Sequence, residues 1–117
     1  MKQNRRIGRI NDEILKEVSQ IVRTELKDPR INTITSILKV DTSSDLKYCK
    51  IFVSILGDDS QKKEVLEGLT NSQGFIRKHL AKTINLRNTP EIKFVLDDSL
   101  EYSMKMSKLI DEANKNN

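Results

Sequence analysis

Ile7, Ile10, Ile14, Val18, Ile21 and Val22 recur at spacings of three and four, with Leu15 and Leu26 widening the stripe. That period places one apolar face on a long helix. Asp12, Glu13, Lys16, Glu17, Gln20, Arg23 and Lys27 fall on the opposite face. Asp28-Pro29 is expected to end the helix, because proline disfavours helical geometry in the residue before it. The period then shortens to two. Residues 33–41 read as a strand with Ile34, Leu38 and Val40 on one side and Ser36 interrupting that face. Residues 47–55 alternate cleanly, with Cys49, Ile51, Val53 and Ile55 against Tyr48, Lys50, Phe52 and Ser54. The link Thr42-Ser43-Ser44-Asp45-Leu46 is short and polar and predicts an antiparallel hairpin.

Gly57-Asp58-Asp59-Ser60 reads as a strand exit followed by a helix cap. A short helix over 62–70 turns Val65, Leu66 and Leu69 inward. Asn71-Ser72-Gln73-Gly74 then breaks it. Ser72 is expected to cap the next helix and Gly74 to permit close backbone approach. That helix covers 73–85, with Phe75, Ile76, Leu80 and Ile84 as its apolar positions. The two helices thus form a kinked pair around Ser72, Gln73 and Gly74. After the connector Leu86-Arg87-Asn88-Thr89-Pro90, a third strand over 91–97 sets Ile92, Phe94 and Leu96 on one face and Lys93 and Val95 on the other. Asp98-Ser99-Leu100-Glu101 matches a capping box. It opens a terminal helix through Leu100, Met104, Leu109 and Ile110, with a frayed tail from about residue 112. The order helix, strand, strand, helix–kink–helix, strand, helix predicts an α+β domain whose helices cover one face of a three-stranded sheet. No repeat or linker divides it, so residues 1–117 are expected to form a single domain.

The 117 residues suffice for a core without metals or disulfides. With 32% charged and 4% aromatic residues, that core must be aliphatic. Cys49 is the only cysteine and His79 the only histidine, which excludes an intrachain disulfide and thiolate zinc sites and leaves no metal motif. No signal segment or membrane-length apolar run is present, so the cytoplasm is the expected compartment. Asp58-Asp59 and Asp97-Asp98 stand where helix caps are needed, and adjacent carboxylates alone supply neither acid–base asymmetry nor a nucleophile. No phosphate-cradling glycine loop appears. Neither catalytic residues nor a cofactor nor a small-molecule substrate is expected; the protein is read as a binder, not an enzyme.

Charge sharpens this. The net charge is +4 and the pI about 9.2, which favours an anionic partner without choosing it. Residues 70–90 contain Arg77, Lys78, Lys82 and Arg87 and no Asp or Glu. Lys78 and Lys82 share a helix face, so a phosphate-binding surface is expected there. Lys2, Arg5, Arg6 and Arg9 form a second cluster ahead of the first acid, Asp12. Packed near the kinked pair, it would extend one electropositive face, with Lys93 as a further extension. The aromatics Tyr48, Phe52, Phe75, Phe94 and Tyr102 are scattered along the chain, which points to recognition of backbone and shape in preference to a base-stacking sheet. Rival readings are a DNA-binding module, a protein-interaction domain using its acidic helix faces, and a hydrolytic enzyme.

Several separated motifs, in order, resemble the ribosome-binding factor A family. They are Asp28-Pro29-Arg30; Ile37-Leu38-Lys39-Val40-Asp41-Thr42-Ser43-Ser44-Asp45-Leu46 with Cys49-Lys50-Ile51-Phe52-Val53-Ser54; Gly74-Phe75-Ile76-Arg77 with Leu80; Leu86-Arg87, Pro90-Glu91 and Phe94; and Asp98-Ser99-Leu100. The resemblance runs from about Arg5 to Ile110 and implies a KH-like fold of the type II order. Classical KH domains clamp nucleotides with a Gly-x-x-Gly loop. The family instead has an Ala-x-Gly kink, which reads Ser72-Gln73-Gly74 here, and Cys49 stands where the family usually has alanine. The resemblance further implies a protein that binds the small ribosomal (30S) subunit and 16S ribosomal RNA late in assembly and assists 5′-end maturation; a monomer is expected. Charge placement, separately from the resemblance, makes Arg5, Arg6, Arg9, Arg77, Lys78, Lys82, Arg87 and Lys93 the residues expected to face RNA.

Overall fold

The structure, a computed structural model, describes residues 5–24, 26, 35–86 and 88–115, with the side chains at 100, 101, 103, 112, 114 and 115 left aside. Along the chain run α1 (Arg5–Thr24), β1 (Thr35–Thr42), β2 (Tyr48–Ile55), α2 (Asp59–Asn71), α3 (Gln73–Thr83), β3 (Glu91–Leu96) and α4 (Ser99–Lys115). The sheet has the order β1-β2-β3, with β1 and β2 antiparallel and β2 and β3 parallel. The parallel pair is possible because the α2–α3 crossover carries the chain back along the sheet.

α1 buries Ile10, Ile14, Val18 and Ile21, the stripe that its sequence spacing predicts. It packs on β1 and α3, while α2 and α3 pack on β3. Asn11 Oδ1 accepts the Thr42 backbone N–H at 3.0 Å and pins α1 to the end of β1. On the covered face, Cys49, Ile51, Val53 and Ile55 of β2 are buried beside Val40, Ile92 and Phe94, and α2 and α3 add Val65, Leu69, Ile76 and Leu80. The stop expected at Asp28-Pro29 lies outside the described residues, as do Thr33 and Ile34.

β1 departs from simple alternation. Ile37 pairs with Val53, but the next partners are Lys39 and Phe52, so Leu38 is an extra residue in a bulge. A bulge switches the side-chain face. Ile37 therefore faces the core before it, and Val40 and Thr42 after it. Ser36, expected to interrupt the buried face, lies on the outer one opposite Ser54. Thr42, expected in the loop, is a buried strand residue whose hydroxyl donates to Cys49 Sγ at 3.7 Å. The hairpin turn closes through Asp45, whose Oδ1 accepts the Ser43 hydroxyl at 2.6 Å and the Lys47 N–H at 3.1 Å. Those bonds hold its carboxyl below the usual value. Leu46 takes a left-handed conformation, φ 62°, and packs its side chain against the core.

α2 opens with the cap that the sequence predicts. Asp58 Oδ1 accepts the Gln61 N–H at 2.8 Å, and Gln61 Oε1 accepts the Asp58 N–H at 2.8 Å. Gly57 has φ +154°, and a Cβ there would lie 2.6 Å from Gln61 Oε1, so the box and the glycine require each other. Lys62 was not an expected inward residue, yet it is only 7% exposed, and its Nζ meets Asp98 Oδ1 at 3.2 Å. Residues 62, 65 and 69 share a helix face, so the lysine stem joins Val65 and Leu69 while its head reaches outward.

α4 differs from its expected part in covering the sheet. Tyr102, Met104, Met106, Leu109 and Ile110 remain 41–65% exposed. The helix also continues to Lys115, past the fraying expected from about residue 112. Its start is tied down twice, by Asp97 Oδ1 accepting the Ser99 N–H at 2.8 Å and by the Lys62–Asp98 pair.

Candidate nucleic-acid interface

The kink between α2 and α3 turns on Ser72, at φ −92° and ψ 0°. Its N–H donates to the carbonyls of Gly68 and Leu69, each at 3.1 Å, and its carbonyl accepts the Ile76 N–H at 3.0 Å. One residue thus ends one helix and begins the next. Its hydroxyl does not cap α3 as expected. Oγ donates back to the Gly68 carbonyl at 2.9 Å, because that carbonyl lies one turn behind and within reach. Gly74 also differs in its reason. A Cβ at this position would meet nothing within 4 Å, so no part of the protein presses on it. The space beside it opens into a cleft of about 250 Å³ lined by Gln73, Gly74, Arg77, Glu91 and Ile92.

The cations of α3 divide between two sides. Arg77 turns toward β3, where its guanidinium donates to the Thr89 carbonyl at 2.9 and 3.3 Å and forms one wall of the cleft. Lys78 and Lys82 lie together on the other side, beside Phe75 and His79. Phe75, an expected core residue, is 49% exposed, with its ring centroid 6.5 Å from that of His79. It falls one turn before Lys78 and His79, so the lysines share their face with an aromatic ring that spacing alone assigned to the interior. His79 Nε2 lies 3.8 Å from Glu17 Oε2 on α1.

That contact orients the two helices. Glu17 meets His79, whereas Arg5, Arg6, Arg9 and Ile10, with Glu13, line a cavity of about 340 Å³ together with Ile84, Asn85 and Leu86. α1 therefore runs antiparallel to α3 and delivers its first turns to the segment that leaves α3. The two basic clusters of the sequence become neighbours in this way. Arg5, Arg6 and Arg9 are exposed, and the first turn of α1 holds no acid. Arg5 and Arg6 stand in the first turn, at the positive end of the helix dipole, and with Arg9 they give this end a cationic surface that Glu13 also borders. Arg87, the remaining cation of the stretch, lies outside the described residues.

Lys93 does not join this surface. Its neighbours Ile92 and Phe94 are buried under the helices, so Lys93 points to the opposite face of the sheet. The same face holds Tyr48, Lys50, Phe52 and Lys39. Two aromatics that look scattered in sequence are therefore on one open face, with Lys39 Nζ 5.8 Å from the centre of the Phe52 ring. Cys49 lies on the covered face, where burial pushes its thiol up from 9.0 to about 11 and keeps it protonated. Among the described residues, no group of three or more His, Cys, Asp or Glu side chains is placed to hold a metal ion, and no helix is long and apolar enough to cross a membrane.

Comparison with known proteins places the whole fold. The profile of the family described as Ribosome-binding factor A matches residues 6–110. A Lachnospira eligens ribosome-binding factor A is 56% identical over 105 residues, spanning 90% of this chain and 81% of the relative. The solution NMR structure of a Thermotoga maritima protein assigned as a ribosome binding factor A is 32% identical. It superposes with a TM-score of 0.70 over 81% of this chain and 90% of that one. A Thermus thermophilus ribosome binding factor A, fitted as a homology model into a cryo-EM map of its complex with the 30S subunit, shares the fold at 17% identity. Its TM-score is 0.61, over 75% of this chain and 91% of that one. The kinked α2–α3 pair, the mixed three-stranded sheet and a match over nearly the whole length lead to one conclusion: this chain belongs to the ribosome-binding factor A family.

Proposed function

We propose that this protein is an assembly factor that docks on the small ribosomal subunit late in its maturation, contacts 16S ribosomal RNA and assists processing of its 5′ end. It acts as a single-domain cytoplasmic monomer, by binding and without a cofactor. The observation that carries this reading is the antiparallel placement of α1 against α3. It sets Arg5, Arg6 and Arg9 beside the exit of a helix that bears Arg77, Lys78 and Lys82 and no acid. Family membership and the 30S complex of the Thermus thermophilus relative support the choice of partner.

Chemically, Lys78 and Lys82 release condensed counterions from RNA phosphates, and the arginines at the start of α1 extend that contact. Arg77 serves from the cleft wall, where its bond to Thr89 holds the fork in place. The open space at Gly74 admits a sugar–phosphate backbone close to the kink. These contacts set position, while the shape of the folded RNA selects the site. A Lys78→Glu/Lys82→Glu variant tests the assignment. It should fold normally and bind small subunits at least tenfold more weakly, and the slope of log affinity against log salt should become shallower by roughly 1.4 for two lost phosphates. Unchanged affinity and slope would show that this helix face is not the interface.

A further inference from the structure

The outer face of the sheet is separate from the interface above and points to RNA on its own chemistry. Cross-strand registration orders it in rows. Tyr48 stands beside Glu91; Lys50 stands between Asp41 and Lys93; Phe52 stands between Lys39 and Val95. Neighbouring strands are about 4.8 Å apart and same-face residues about 6.6 Å along a strand. Lys93 and Lys50 thus share one cross-strand row and Lys39 stands in the next row on β1, so the three strands each contribute one lysine to a connected cationic path. Tyr48 flanks that path with a ring 60% exposed. Asp41 lies directly across from Lys50 on β1 and Glu91 directly across from Tyr48 on β3, so each carboxylate borders the path at one end of its row.

Two features of this face suit a partner. Lys50 and Lys93 are directly opposite one another on paired strands, a like-charge contact that Asp41 offsets only from the β1 side of Lys50. Tyr48 leaves most of a large ring in water at the start of a central strand. A polyanion with stackable rings answers both. Its phosphate neutralises the lysine pair, and one of its bases stacks on Tyr48. Lys39 is already held over the Phe52 ring, which presets its ammonium for a neighbouring phosphate. A duplex cannot offer a base face to Tyr48 without unpairing, and an acidic peptide would satisfy the lysines while leaving the ring without a partner.

We propose that the outer face of the sheet, centred on Tyr48, Lys50 and Lys93, binds a short single-stranded RNA segment, with the lysines on phosphates and Tyr48 stacked on a base. This inference rests on the reading of the protein as an RNA-binding factor, and it assigns a second contact on the side of the sheet opposite α3.

The test measures fluorescence of a hexaribonucleotide carrying 2-aminopurine, in parallel with small-subunit binding, for four forms of the protein. With the unaltered protein, binding quenches the fluorophore. Lys50→Gln/Lys93→Gln should weaken oligonucleotide binding and make its salt slope shallower by roughly 1.4. Tyr48→Ala should abolish the quenching and weaken binding roughly tenfold or more. Lys78→Glu/Lys82→Glu should still show the quenching, which reports only a base stacked on Tyr48, so loss of subunit binding with quenching retained reports on the α3 interface. Folded Lys50→Gln/Lys93→Gln and Tyr48→Ala proteins that bind and quench the oligonucleotide normally would overturn the proposal. So would a Lys50→Gln/Lys93→Gln protein that loses small subunits but keeps the oligonucleotide, which would assign the face to a protein partner.

Discussion

Two faces of one strand meet opposite fates here. On β2, Cys49, Ile51, Val53 and Ile55 are sealed beneath three helices, while Tyr48 and Lys50, one residue away in each case, stand in solvent. The backbone and its hydrogen-bond ladder are common to both sets. The difference lies in what covers each side: α1, α2 and α3 all pack on one face. The covered side holds the fold together, and the open side is the one proposed to meet RNA. An alternating strand therefore separates stability from binding at single-residue intervals, so that neighbouring substitutions should act on different properties.

The largest expected effect is on the covered side. Ile51→Ala removes a side chain that is fully buried at the centre of the sheet, and it should cost about 2–5 kcal/mol in a urea unfolding curve. A loss below about 1 kcal/mol would mean that this side of β2 is less tightly enclosed than its burial indicates. A smaller effect on the same side concerns pH. The Cys49 thiol is held near 11 in the folded chain against 9.0 when exposed, so the folded state favours the protonated form. Its contribution is complete below pH 9 and is lost as pH rises toward 11, on the order of 1–3 kcal/mol. A Cys49→Ala variant should lack that part of the alkaline decline. If the two proteins lose stability in parallel between pH 9 and 11, the thiol does not contribute. The smallest effect belongs to the open side. Tyr48→Ala should change stability by no more than about 0.5 kcal/mol, in contrast to its effect on RNA binding. A larger loss would show that the tyrosine ring helps to hold the fold.

The helices at the two ends make the same point about legibility. α1 and α4 both have periodic apolar residues, and both are helices. Only α1 buries its stripe, because β1 and α3 lie against it, whereas Leu109 and Ile110 of α4 have no such cover. Helical period is a local property and was readable; a packing partner is not local. The candidate interface divides in the same manner. Arg77, Lys78 and Lys82 could be placed on α3 from spacing, and the kink at Ser72-Gln73-Gly74 from its breakers. The exposure of Phe75 and the direction of the Ser72 hydroxyl could not, since both depend on which carbonyl or helix lies nearby. The bulge at Leu38 hid the true alternation of β1, because one extra residue reverses the face of everything beyond it.

By itself the sequence determined the identity and order of the elements, a helix cap within Gly57-Asp58-Asp59-Ser60, the inward set of β2 and the basic character of α3. Each follows from residues within one or two turns of one another, where backbone geometry and side-chain reach leave few alternatives. Only the tertiary structure decided that Arg5, Arg6 and Arg9 meet the exit of α3, that Lys93 belongs with Lys50 on the far side of the sheet, and that Lys62 reaches Asp98. Those relations join residues far apart in the chain. They are set by how helices and strands enclose a common core, which no local pattern encodes.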